Sequence, residues 1–96
     1  MSDAQNGQAL RLDDELDLSA AAPLKAALVA RRGEALDLDA SSVQRLGGLC
    51  LQVLLAAATA WRADDVAFRI TGPSEPFSRA LQQLGADGCL PLAEGE

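Results

Sequence analysis

Histidine and tyrosine are both absent from this sequence of 96 residues, and aromatic side chains make up only 3% of it. Histidine is the commonest general base and metal ligand near neutral pH, so its absence removes most familiar catalytic and metal-binding arrangements. The two cysteines, Cys50 and Cys89, cannot form a standard structural zinc site without histidine ligands. We therefore expect no enzymatic activity, no metal site and no cofactor.

Basic side chains are also scarce, with 8 lysines and arginines against 14 acidic residues and a net charge of −6. The arginines are scattered and form no basic stripe, which argues against a nucleic-acid partner. The longest apolar run, residues 53–58, is far shorter than the roughly 20 residues that cross a bilayer. No secretory signal is recognisable, so the two cysteines are expected to be free thiols in a reducing cytoplasm.

The length of the chain fits one domain, whose core must be built mainly from leucine, alanine and valine. Residues 1–7 are polar and lack any hydrophobic periodicity, and they are predicted to be a disordered N-terminal segment. Residues 8–96 are predicted to form the single domain.

Several short segments alternate between apolar and polar residues, which is typical of β-strands with one buried face. Segments 9–12 and 15–18 form either two short strands or one interrupted strand, with Leu18 on the apolar side. Segments 35–39 and 66–70 alternate in the same way. Strands that were buried on both faces would be continuously apolar, so we expect an α/β fold with helices on one face of the sheet.

Helix boundaries are indicated by capping residues. Ser19 is predicted to cap the first helix, which would end near Gly33. Ser74 is predicted to cap a third helix with Leu84 on its buried side. Residues 89–92 are predicted to form a last edge strand.

The second helix, which follows Gly47, is apolar almost all the way round and carries no charge through residue 60. Placing its residues at intervals of about 100° divides it into two faces. The residues predicted to face the sheet are Cys50, Val53, Leu54, Ala57 and Trp61. The residues predicted to face outward are Leu49, Gln52, Leu55, Ala56 and Thr59. An uncharged outer face indicates either that neighbouring helices cover it or that a partner protein docks there.

The glycine pair Gly47-Gly48 opens this helix, where free backbone N–H groups could bind an anion. The pattern is not a phosphate-binding loop, and we favour the interpretation that the glycines permit close packing and a sharp turn. Ser41 and Ser42 are predicted to satisfy the backbone of the preceding turn.

The string L-D-L-D-x-S-x-V-x-x-L-G-G-L-C-L-Q-V-L-L, at residues 36–55, resembles the STAS domain of bacterial anti-sigma-factor antagonists. The string L-D-L-S-A-A-A-P-L, at residues 16–24, is similar to the same family's passage into its first helix. The resemblance implies a mixed sheet of four or five strands with helices on one face. It also implies a non-enzymatic domain that binds a partner protein through the start of its second helix.

Kinase-regulated members of that family typically carry D-S-S-G-L after the strand, and the second serine is phosphorylated. Alignment places that aspartate at Gly47, the two serines at Gly48 and Leu49, and the glycine at Cys50. Because Leu49 occupies the phosphoacceptor position, the resemblance implies partner docking without the usual serine switch.

The sequence around Gly47-Gly48 is most similar to stand-alone STAS proteins of alphaproteobacterial chemotaxis systems. This resemblance implies a histidine kinase or an anti-sigma-like kinase as partner. The residues predicted to bind it are Gly47, Gly48, Leu49, Gln52, Leu55, Ala56 and Thr59. One alternative is a small cytoplasmic STAS subunit of an ABC-type phospholipid transporter. A receiver-like phosphoacceptor at Asp39 is disfavoured, because the single lysine, Lys25, precedes it and no acidic cluster is apparent.

Overall fold

The computed structural model describes residues 8–93, and these form six β-strands and three α-helices. The strands are β1 (Gln8–Arg11), β2 (Glu15–Leu16), β3 (Leu36–Asp39), β4 (Arg45–Leu46), β5 (Phe68–Thr71) and β6 (Leu92–Ala93). The helices are α1 (Ala21–Val29), α2 (Gly48–Ala63) and α3 (Glu75–Gln83). The predicted disorder of residues 1–7 lies outside the described residues and stays a prediction.

The strands form one four-stranded sheet in the order β1-β3-β5-β6 and a two-stranded sheet of β2 and β4. The predicted α/β fold class is confirmed, but within residues 8–93 every strand pairing is parallel, whereas the resemblance implied a mixed sheet. The reason is that β1 and β2 do not fold back on each other as a hairpin. After the bend at residues 12–14, β2 leaves the main sheet and pairs with β4.

Register places the apolar side chains of neighbouring strands in rows across the main sheet. Leu10, Leu38 and Ile70 are partners in register, and the latter two are completely buried. The other face carries polar partners, such as Asp37 and Arg69, whose side chains form an exposed ion pair. The prediction of one apolar and one polar face is therefore confirmed, and the buried residues form a single core.

Two side chains that were predicted to be buried are exposed instead. Leu18 is 76% exposed because β2 ends at Leu16 and the chain then turns through a 3-10 helix at Leu18–Ala20. Leu84 is 46% exposed because it lies just past the end of α3, where the helical stripe no longer continues.

The helix starts agree with the predictions in one case and differ in the other. Ser74 caps α3 as predicted, since its hydroxyl oxygen accepts a hydrogen bond from the Phe77 amide at 3.1 Å. Ser19 does not cap α1. The carboxylate of Asp17 caps the 3-10 helix instead, accepting from the Ser19 amide at 3.1 Å, and α1 follows at Ala21.

Two short strands differ from the sequence prediction. β4 was not predicted, because two residues are too few to show a period. The last strand is Leu92–Ala93 rather than 89–92, because Cys89 and Leu90 still belong to the turn after α3. Its pairing with β5 begins at Pro91, whose carbonyl accepts a hydrogen bond from the Ile70 amide at 3.0 Å.

Trp61 is the largest of the buried side chains by which α2 packs on the core. Trp61 is 2% exposed, its ring lies 5.2 Å from that of Phe68, and its indole N–H donates to the Glu34 carbonyl at 2.8 Å. The Arg32 guanidinium lies over the ring at 6.0 Å from its centroid. These contacts hold the C-terminal half of α2 against both the sheet and the α1–β3 connection.

Within residues 8–93, none of the helices has the length and apolar character needed to span a membrane.

Candidate functional site

The outer face of α2 remains open to solvent. Leu49 is 46% exposed, and Gln52, Ala56 and Thr59 are also exposed, while Leu55 is half-buried. Within residues 8–93, no neighbouring helix closes over these side chains. This exposure agrees with the predicted outward face and removes the interpretation that other helices cover it.

The inward face also agrees with the prediction, with one exception. Cys50, Leu54, Ala57 and Trp61 are buried. Val53 was predicted to face the sheet, but it is half-buried and lies at the side of α2 nearest to α1. Its position on the boundary between the two faces follows from the helical angle, since it lies only about 40° from Leu49 on the wheel.

A groove of about 460 Å³ runs between α1 and α2. Three of the seven residues predicted to bind a partner line it, namely Leu49, Gln52 and Ala56. The other residues that line it are Lys25, Leu28, Val29, Arg32, Val53, Ala57, Ala60 and Trp61. The groove is mainly apolar, and a groove of this size and character is typical of binding sites.

The four remaining predicted residues lie outside this groove. Leu55 and Thr59 are on the other flank of α2, where the Thr59 hydroxyl donates to the Leu55 carbonyl at 3.1 Å. Gly47 and Gly48 lie at the N-terminal end of the helix. The predicted set therefore spans two flanks of one helix, and its role in binding a partner stays a prediction.

Two contributors to this surface were missed by sequence reasoning. Val29 is 59% exposed and Lys25 is exposed, and both extend the α2 surface across the groove onto α1. Their spacing of four residues puts them on one side of α1, but only the packing of α1 beside α2 brings that side to the groove.

The positive charges at the groove differ in their pairing. Arg32 is bound to Asp64 through two hydrogen bonds, of 2.9 and 3.4 Å. This pairing raises the pKa of Arg32 and lowers the pKa of Asp64, so both stay charged near neutral pH. Lys25 has no salt-bridge partner among residues 8–93. It is therefore the groove charge that remains available to a partner.

The glycine pair does not make the sharp turn that was predicted. Gly47 is the N-cap of α2 with φ −91° and ψ 169°, a conformation open to any residue. A Cβ atom on Gly47 would lie 3.4 Å from the Leu16 carbonyl oxygen, at van der Waals contact. A Cβ atom on Gly48 would meet nothing within 4 Å. Glycine at position 48 is thus required neither by backbone conformation nor by packing.

This geometry predicts that Gly48→Ala stabilises the protein. Alanine restricts the unfolded chain without strain in the helix, and the free energy of unfolding should rise by about 0.4–1 kcal/mol. Urea denaturation followed by circular dichroism measures it. Gly33→Ala is the matched control and should destabilise, because Gly33 has φ +90°. A loss of stability in Gly48→Ala would contradict the open environment described above.

The first turn of α2 is attached to the turn before α1. The Cys50 thiol donates to the Asp17 carbonyl at 3.3 Å. Burial raises the pKa of Cys50, and the negative charge of Asp17 adds to the rise, so the thiol stays protonated and unreactive. This bond joins Asp17, which precedes the exposed Leu18, to Cys50, which follows Leu49. Leu18 and Leu49 therefore lie at the same end of the molecule.

The turn after β3 is held by side chains. The Asp39 carboxylate, rather than a serine hydroxyl as predicted, satisfies the turn backbone: it accepts a hydrogen bond from the Ser41 amide at 2.9 Å, and hydrogen bonding from Ser41 lowers the pKa of Asp39. The Ser42 hydroxyl accepts from the Arg11 guanidinium instead, at 3.2 Å from Nε. Among residues 8–93, no three histidine, cysteine or acidic side chains cluster as they would around a metal ion.

Comparison with known proteins shows which family and which solved structures this chain is similar to. A family model described as "Mlab, STAS domain" matches residues 1–93. A crystal structure of a Thermotoga maritima protein described as a candidate anti-sigma factor antagonist (TM1081) is similar, with a TM-score of 0.74 and 17% identity. The match covers 91% of this chain and 80% of that one. The NMR structure of TM1081 matches with a TM-score of 0.72 and 19% identity over 90% of this chain and 72% of that one. No curated protein matched significantly.

Proposed function

Because the chain belongs to the STAS domain family, we propose that it is a non-enzymatic, cytoplasmic interaction module that docks a signalling histidine kinase of the chemotaxis type. The kinase binds at the start and outer face of α2, and the residues concerned are those predicted from the sequence: Gly47, Gly48, Leu49, Gln52, Leu55, Ala56 and Thr59.

The observation that carries this proposal is the exposure of apolar side chains on an uncharged helix face. Leu49 is 46% exposed in the first turn of α2, and no charged residue follows it before Arg62. Covering such a face removes apolar surface from water at about 25 cal/mol per Å², with no charge to desolvate. A protein surface is the natural cover for a convex helix face of this kind.

The same position bears on regulation. In phosphorylation-controlled relatives of this type a serine would occupy position 49, whereas this chain carries leucine there. Leucine cannot accept a phosphoryl group, so phosphorylation at position 49 cannot control docking in this chain. Control of the complex then depends on the partner or on protein concentration.

The experiment is affinity capture from the native host with identification of the captured proteins. The tagged wild-type chain should retain a histidine kinase, and the Leu49→Asp variant with the same tag should not. Capture of an ABC-type ATPase, by the wild-type bait alone, would overturn kinase docking and support the transporter-subunit alternative. Equal capture by both baits would overturn the assignment of the α2 surface.

A further inference from the structure

We infer that the groove between α1 and α2 receives an amphipathic helix of the partner whose flank is acidic at the position facing Lys25. This inference deepens the proposed function and rests on it. It specifies how the partner segment is shaped and charged, and it adds α1 to the docking surface.

The walls of the groove have helical spacing on both sides. On α2 the lining residues recur at intervals of three and four from Leu49 to Ala60, which spans about 16 Å at 1.5 Å per residue. On α1 the wall is formed by Lys25, Leu28 and Val29, which follow the same spacing. The α2 wall runs for about three turns and the α1 wall for little more than one turn, so α2 sets the length of the groove, which suits a short helical binding segment.

The floor of the groove permits close approach. Ala56, Ala57 and Ala60 occupy the middle and far end, and their small side chains leave space for the knobs of a third helix. Packed helices lie about 8–10 Å apart, with the shorter distances where contact residues are small. Leu49 and Val29 are the large apolar side chains of the groove that are most exposed, so they can contact an inserted side chain.

The charge of the groove is opposite to that of the chain. The protein as a whole carries −6, yet the only charged residues among 8–93 that line the groove are Lys25 and Arg32. Arg32 is already paired with Asp64, so its positive charge is largely compensated. The charge of Lys25, unpaired among residues 8–93, therefore selects for the charge on the partner's flank. An acidic flank would be attracted and a basic one repelled, which is how rim charges confer specificity.

A pair of synthetic helical peptides of roughly 14 residues, about four turns, tests this inference. Both carry leucines with i, i+3, i+4, i+7 spacing; one has glutamates along a flank and the other has lysines at the same places. The acidic peptide should bind at least about fivefold more tightly to the wild-type chain. Lys25→Glu should reverse the preference. Arg62→Glu, with the same charge change on α2 outside the groove, should preserve it.

The location of binding is measured separately, by the backbone amide NMR shifts of the chain during titration. Shifts should include Lys25 and Val29 as well as Leu49 and Ala56. Equal affinity for the two peptides, no binding of either, or shifts confined to α2 would overturn the acidic-helix inference. These results would leave kinase capture through Leu49 untouched, so the two proposals fail separately. Concentration-dependent dimerisation that Val29→Asp abolishes would also overturn it, because a second copy would then fill the groove.

Discussion

Leu49→Asp is expected to weaken kinase binding by about 30-fold or more while leaving the fold intact. The leucine is half-exposed in the free domain, so aspartate meets no buried surroundings there. In the complex the same carboxylate would lie under the partner, losing both apolar contact and hydration. Central apolar anchors of interfaces contribute 2 kcal/mol or more, which corresponds to that factor in Kd.

The chain offers a closely matched control for this change. Leu84 has the same exposed fraction, 46%, and lies just past α3 rather than on α2. Leu84→Asp therefore makes the same chemical change at the same exposure and should leave binding within a factor of about two. Titration calorimetry with the purified kinase measures both. Equal losses in the two variants would mean that added negative charge, rather than the α2 surface, weakens binding.

Ala56→Arg probes the same face about two turns further along α2. Ala56 is exposed at the groove, so arginine is tolerated in the free protein but fills the space that a partner would need. Ala56→Arg should weaken kinase binding by about the same factor as Leu49→Asp. Binding that is unchanged by both substitutions would contradict the proposed surface.

Trp61→Ala is expected to lower the free energy of unfolding by about 3–5 kcal/mol, a large part of the total for a domain of this size. Trp61 is 2% exposed and packs against Phe68, so its removal leaves a cavity between α2 and the sheet. The Glu34 carbonyl also loses its indole donor. Because this is the only tryptophan, unfolding must be followed by circular dichroism rather than by fluorescence.

Trp61→Phe separates the contribution of ring packing from that of the hydrogen bond to the Glu34 carbonyl. Phenylalanine retains an aromatic ring but cannot donate to Glu34, so it should cost less than alanine by the difference in buried volume. A loss below about 1 kcal/mol for Trp61→Ala would show that the site collapses to fill the cavity, and that α2 does not depend on this anchor.

The division of α2 into two faces could be predicted from the sequence because it is a property of one helix. A period of 3.6 residues decides that Leu54 and Trp61 face opposite to Gln52 and Ala56, whatever the helix packs against. The alternation of Leu36, Asp37 and Leu38 likewise settles which side of β3 is buried. Ser74 as a cap is local in the same sense, since its hydroxyl bonds an amide three residues away.

Features that depend on how elements meet could not be predicted in this way. Two-residue strands such as β4 have no period to detect, and Leu18 escapes burial because β2 stops two residues earlier than its alternation suggests. Gly48 appeared to be a packing requirement until the space around it was known.

The sequence by itself determined the uncharged outer face of α2, which depends on residue order within one helix, and the α/β class and STAS family, which depend on patterns in consecutive segments of the chain. Only the tertiary structure decided that α1 lies beside α2 and brings Lys25 and Val29 to its edge. That decision requires contacts between residues more than 20 positions apart, which no local period encodes. The proposed docking surface thus begins as one helix face and becomes a two-helix groove with a positive charge.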